Sequence, residues 1–144
     1  MNTAPNVVNT RVLFDSAEKS VIQFIGYYTT ATTANTKALT SNTLSYANTS
    51  APNNLVTVEK IQFASKCNGF VSLEWMGAAG INTAFFTSGS SAGVIEGPYA
   101  PDISGAVGDI NVRTHGLNAN DSFNVIVTCK KDINGGFANA TAWY

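Results

Sequence analysis

The sequence predicts an all-β fold, a single-domain antiparallel β-sandwich of jelly-roll or immunoglobulin-like type with extended N- and C-terminal arms. Three observations carry this expectation. Helical 3.6-residue periodicity is nearly absent, and apolar residues recur with period two, as they do in half-buried strands. Gly, Pro, Asn and Ser clusters bound these runs at spacings of about 8–12 residues, the rhythm of sandwiches and barrels. A chain of 144 residues with 44% hydrophobic content is also long enough to bury one core without staples.

The elements follow in order within one domain, 1–144. Residues 1–10 form an N-terminal arm. "RVLFD" and "SVIQFIGYY" flank the polar "DSAEKS", so residues 11–28 predict a hairpin. The Thr-, Asn- and Ala-rich stretch 29–54 reads as a long excursion with one edge strand, its apolar residues gathered near Leu39, Leu44 and Tyr46. In "LVTVEKIQFAS", Val56 and Val58 share one face while Ile61 and Phe63 take the other phase. That flip at Glu59-Lys60 predicts a bulge or a crossing between sheets. "GFVSLEWMG" sets Val71, Leu73 and Trp75 against Ser72 and Glu74, and Asn68-Gly69 before it suits a hairpin turn. "INTAFF" is a short strand. Gly97 to Gly108 reads as a loop shaped by prolines and glycines. "DINVRTH" is expected to pair with "SFNVIVTCKK" across "GLNAND", and residues 132–144 form a C-terminal aromatic tail.

Composition narrows function. Only 12% of residues are charged, against about 25% in ordinary soluble domains, and sixteen Asn and sixteen Thr take their place. A net charge of −1 gives no footprint for nucleic acid or an anionic membrane, so neither is an expected partner. The longest apolar run, "VIQFIGYY", is strand-length, and "MNTAPNVVNTR" lacks the basic and apolar regions of a secretion signal. Cys67 and Cys129 are expected as small buried side chains made in a reducing cytoplasm.

Reactive constellations are scarce. His115 is the only histidine, with Asp109 and Asp121 as acids and Ser122 as nucleophile near it in sequence. As part of a strand end it should face solvent, and no catalytic residue is assigned. Glu74 and Glu96 form no paired-carboxylate pattern, and Asp102 with Asp109 lacks the Asp-rich alternation of a calcium loop. No metal site or cofactor is expected, and Trp75 is read as core. What remains are contact residues: Pro98, Tyr99 and Pro101 on the shaped loop, and Phe137, Trp143 and Tyr144 on an uncharged tail that either folds back over its own sandwich or, the favoured reading, docks on a neighbouring subunit or the capsid.

The order of three segments, "TRVLFDSAEKSVIQFIGYY", "VTVEKIQFASKCNGFVSLEW" and "GDINVRTHGLNANDSFNVIVTCKK", resembles small virion structural proteins of tailed bacteriophages. The matching positions are Val58, Lys60-Ile61, Trp75, Gly108-Asp109, Thr114-Gly116 and Lys130-Lys131, within residues 11–131. Met76-Gly77 stands where many such chains carry an acid, and thirteen residues follow the basic pair where many stop. The resemblance implies a non-enzymatic protein of the virion, assembled in the host bacterial cytoplasm. The resemblance leaves capsid, neck and tail open; the low charge, the amide- and hydroxyl-rich composition and the arms at both ends favour capsid decoration, cementing neighbouring major capsid subunits, with a homo-oligomer, a trimer among the options. Two alternatives stand beside it: a neck or tail component, and a carbohydrate- or receptor-binding module using Tyr27, Tyr28 and Tyr99.

Overall fold

The structure, a computed structural model, describes residues 4–48, 54–77, 80–101, 105–132 and 136–137. The strands are β1 (Asn9–Asp15), β2 (Lys19–Tyr27), β3 (Thr32–Leu39), β4 (Val56–Lys66), β5 (Phe70–Gly77), β6 (Asn82–Ser88), β7 (Ser91–Tyr99), β8 (Ala106–Leu117) and β9 (Ser122–Lys131). A 3-10 turn at Ser41–Thr43 is the one helical element among the described residues. A five-stranded sheet, β1-β2-β9-β4-β7, faces a four-stranded sheet, β3-β8-β5-β6, and every pairing is antiparallel. The expected β-sandwich is therefore what the chain forms.

Its winding resolves the choice between the two sandwich types. β2 pairs with β9, β3 with β8, β4 with β7 and β5 with β6. From β2 to β9 the chain is one long antiparallel double strand with its tip between β5 and β6. Rolling it up brings β4 against β9 and β5 against β8. That is a jelly roll, extended by β1 at one edge. The core lies between the sheets, where Ile22, Phe24, Val58, Ile61, Leu73, Trp75, Ile110, Val112 and Val127 are all buried. These are the inward members of the period-two runs, and their removal from water is the main driving force for closing the sandwich.

The bulge expected at Glu59-Lys60 is present: β4 shifts register between Val58 and Lys60 against both β7 and β9. The hairpin at 11–28 also forms, with a second register shift in β1 between Val12 and Phe14.

Two expected hairpins do not form. β4 lies in the five-stranded sheet and β5 in the four-stranded one, so the Cys67–Gly69 turn crosses between layers. "DINVRTH" likewise does not pair with "SFNVIVTCKK", because β8 and β9 face each other across the core. The two crossing turns are clamped together by Asp121, whose Oδ2 accepts the amides of Asn118 at 2.7 Å and Asn68 at 3.1 Å. Asn120, left-handed at φ 71°, donates its amide to Tyr28 O at 2.8 Å. Gly69 meets β8 so closely that a Cβ there would lie 1.6 Å from His115 O.

Two segments differ from the expected loops and arms. Gly97–Tyr99 belongs to β7, an edge strand, rather than to a loop. Residues 4–8 are held down, with Asn6 donating its amide to Tyr27 O at 2.9 Å and accepting the Thr29 amide at 3.0 Å. The excursion 29–54 supplies β3 at the edge of the four-stranded sheet, and polar clamps then order its described residues. Asp109 Oδ1 accepts the Ser41 amide at 2.8 Å, and buried Asn54 donates to Asn42 Oδ1 at 2.7 Å and accepts the Asn48 amide at 2.8 Å. Among the described residues, no helix is long and apolar enough to cross a membrane.

Candidate interaction surface

The residues weighed for catalysis are dispersed. His115 is exposed on β8, stacked on Phe70 at 5.3 Å. Asp109, on the same strand, is six residues and about 20 Å away at strand rise. Its carboxylate is engaged by Ser41 and by Lys37 Nζ at 2.6 Å. Asp121 is held by turn amides, and Ser122 sits on the opposite sheet. Glu74 is buried on β5, accepting from Asn111 Nδ2 at 2.9 Å, while Glu96 is exposed on β7 in the other sheet. Both cysteines are free and buried. Burial, and secondarily Glu59, pushes the Cys129 thiol up to about 12, and burial followed by the Asp121 charge raises Cys67. Neither is therefore a thiolate near neutral pH. Among the described residues no group of three or more His, Cys, Asp or Glu could hold a metal.

The outward face of the five-stranded sheet is different in kind. Its ladder registers set three rows across all five strands: Phe14–Val21–Thr128–Lys60–Glu96, Arg11–Gln23–Ile126–Gln62–Val94 and Asn9–Ile25–Asn124–Ala64–Ala92. Only Arg11, Lys60 and Glu96 carry charge in these rows. Phe14 and Val94, at opposite edges, are 55% and 57% exposed, and Val21, Ile25 and Ile126 between them are half-buried. Gln23 Nε2 donates to Asn124 Oδ1 at 3.0 Å, which spends amide hydrogen-bonding capacity within the sheet. The result is a broad face whose centre mixes half-buried apolar and amide side chains, with charged residues at its margins in the flanking rows Lys19–Lys130–Thr57 and Tyr27–Ser122–Lys66.

At the foot of this face lies an open cavity of about 400 Å³, lined by Thr57, Glu59, Gly97, Pro98 and Lys130. Lys19 Nζ bonds Glu59 Oε2 at 3.1 Å beside it. Pro98, one of the contact residues named from the sequence, is exposed here. Its neighbours were not legible, because Thr57, Glu59 and Lys130 come from β4 and β9, distant in sequence and joined only by the sheet register.

The other contact residues fare differently. Tyr99 is half-buried, with its ring 6.2 Å from that of Phe85, and Pro101 is half-buried. Phe137 is buried in its own fold and is not presented to a neighbour, a correction to the reading of the tail. Its ring lies 5.5 Å from Lys131 Nζ. Lys131 is itself fully buried and spends all three donors, on Asp15 Oδ1 at 2.5 Å, Ser45 O at 2.6 Å and Ser16 O. A buried ammonium so satisfied fixes the end of β9, the end of β1 and the 41–48 loop at one point. Trp143 and Tyr144 lie outside the described residues. Tyr28, a candidate for glycan contact, is a core residue, while Tyr27 is exposed.

The chain matches no protein-family model, no curated protein and no solved structure.

Proposed function

We propose that the chain is a non-enzymatic structural protein of a virus particle, a decoration protein whose five-stranded sheet docks on the shell of major capsid subunits. The observation that carries this reading is the centre of the outer face from Phe14 to Val94, where Val21, Ile25 and Ile126 lie half-buried among amide side chains, with the cavity beside Pro98 at its foot. Water-exposed alkyl and amide groups at such density are what a docking partner would cover. Jelly rolls recur in viral capsid proteins and in lectins, so the fold agrees with the reading without deciding it. The phage-like order of segments favours the virion over the lectin. So does the burial of Tyr28 and half-burial of Tyr99, which removes two of the three aromatics a glycan site would need.

The test is to locate and count the chain in particles. Hundreds of copies spread over the shell support decoration, about a dozen at one vertex assigns it to the neck or tail, and absence from particles refutes the reading. Val94→Glu with Ala64→Lys places charge on two exposed positions of the face. The double variant is expected to keep its unfolding midpoint, since exposed substitutions change stability by about 0.5 kcal/mol or less. Its occupancy on particles is expected to fall at least about tenfold, equal to some 1.4 kcal/mol of binding. Full occupancy would exclude this face, and binding to a glycan array in its place would support the carbohydrate-binding alternative.

A further inference from the structure

The row that borders the cavity breaks a pairing rule that its neighbour keeps. Sheet register places Lys130 of β9 directly opposite Lys19 of β2 on one side and Thr57 of β4 on the other. Lys19 and Lys130 are both exposed, and like charges directly opposed across an antiparallel pair destabilise it. One row further along the strands, the same sheet sets Lys60 opposite Glu96, the arrangement that charge favours. Glu59, in the bulge between these rows, bonds Lys19 at 3.1 Å. Lys19 and Lys60 thus each face an acid, while Lys130 makes no ion pair among the described residues. Three lysines stand against two glutamates here, and the charge left over is that of Lys130.

This ammonium lines the cavity of about 400 Å³ together with Thr57, Glu59, Gly97 and Pro98. The volume sits near the lower end of the roughly 300–1,000 Å³ of ligand pockets, room for a side chain rather than a folded segment. Lys130 offers three donors and no acceptor, and Thr57 adds a hydroxyl. The lining therefore complements a group that is negative and accepts hydrogen bonds. One excess charge answers one carboxylate, whereas a nucleic-acid backbone would need a series of cations. Nothing in the free chain repays the Lys19–Lys130 opposition, and a local rule broken without a compensating gain in the fold marks a functional position.

We propose that the cavity beside Pro98 receives an aspartate or glutamate side chain of the docked shell subunit, held by Lys130 Nζ and the Thr57 hydroxyl. The inference rests on the docking reading above and adds the chemistry of the partner at the foot of the face. Docking then supplies the counterion that the free chain lacks and relieves the repulsion between Lys19 and Lys130.

Carbodiimide treatment of particles carrying the native chain tests this directly, because the reagent joins an amine and a carboxylate in contact as an amide, with loss of water. Mass spectrometry of the digest is expected to find Lys130 coupled to an aspartate or glutamate of the shell protein. Lys130→Glu turns the opposed like charges into an opposite pair, so its melting temperature is expected to equal or exceed that of the native protein. Its occupancy on particles is nevertheless expected to fall at least about tenfold. Lys130→Arg, which keeps the charge but cannot be coupled, is expected to remain bound and to give no amide link. Added salt is expected to weaken the binding of the native chain more than that of Lys130→Met. Full occupancy of Lys130→Glu would overturn the proposal, as would native particles in which Lys130 couples to no carboxylate of another chain. Either result leaves face docking standing, whereas absence of the native chain from particles removes both readings.

Discussion

Two buried side chains set the terms for this fold at the level of single residues. Trp75 is 1% exposed and stacks on Phe85 with ring centroids 4.6 Å apart. Trp75→Ala is expected to cost about 3–5 kcal/mol in a urea titration, the range for deleting a large buried aromatic. A cost below about 0.5 kcal/mol would place the indole outside the core. Lys131 answers to a different rule, because its ammonium must keep its partners. Asp15→Ala leaves that charge short of a counterion and is expected to destabilise by about 3–5 kcal/mol, whereas Lys131→Met, which removes the charge and retains the stem, is expected to cost clearly less. Comparable losses from the two would contradict the account of the pair. Burial alone would raise the Asp15 pKa, but hydrogen bonds from Lys131, Ser20 and Ser45 outweigh it and hold the carboxyl below its ordinary 3.8. A group depressed in the folded state stabilises fully above its unfolded pKa and ceases to do so as pH falls through the folded value. Stability that depends on Asp15 should therefore disappear as the pH is lowered below about 3.8, and the difference between native protein and Asp15→Ala should narrow over that window.

Strands were more legible than their pairings. Period-two alternation located β2, β4, β5, β8 and β9, because it reports which side chains face the core. It carries no information on which layer a strand joins. "KCNG" and "GLNAND" have the composition of hairpin turns, yet both cross between sheets, and what distinguishes them is the Asp121 carboxylate bonded to an amide in each. β7 escaped notice because an edge strand rich in glycine and proline has no buried stripe to betray it. The ordered excursion 29–48 was legible only as far as Leu39 and Leu44, since its clamps are single amide and carboxylate side chains drawn from distant strands. Of the candidate surface, Pro98 could be named from sequence, but the three rows could not, because they exist only once five strands are in register. Gly69 offers a test at this scale. Its missing Cβ is what lets the β4–β5 crossing lie against β8, so Gly69→Ala forces backbone apart and is expected to destabilise the protein by more than the roughly 1 kcal/mol range of a glycine propensity change. A melting temperature equal to that of the native protein would show that the crossing can move away from β8 at little cost.

For the molecule as a whole, the rolled double strand ties together segments far apart in sequence. Gln23 bonds Asn124, Asp15 bonds Lys131, and β2 lies along β9 over its full length. Contacts of such range close large loops before any return in packing, which places this fold among the slow-folding β topologies. β9 ends at Lys131 and occupies the middle of the five-stranded sheet, so neither β2 nor β4 has its inner neighbour until residues 122–131 have been made. A ribosome elongating this polypeptide thus exposes the β1–β2 hairpin and the β4–β7 pair, each with one edge unpaired, until β9 has emerged. The larger sheet closes only after β9 is made, and a nascent chain stalled before residue 122 has no means of closing it. Cells making the protein in quantity would depend on holding those early strands apart, and fragments ending before β9 are expected to be recovered in aggregates rather than as smaller folded domains.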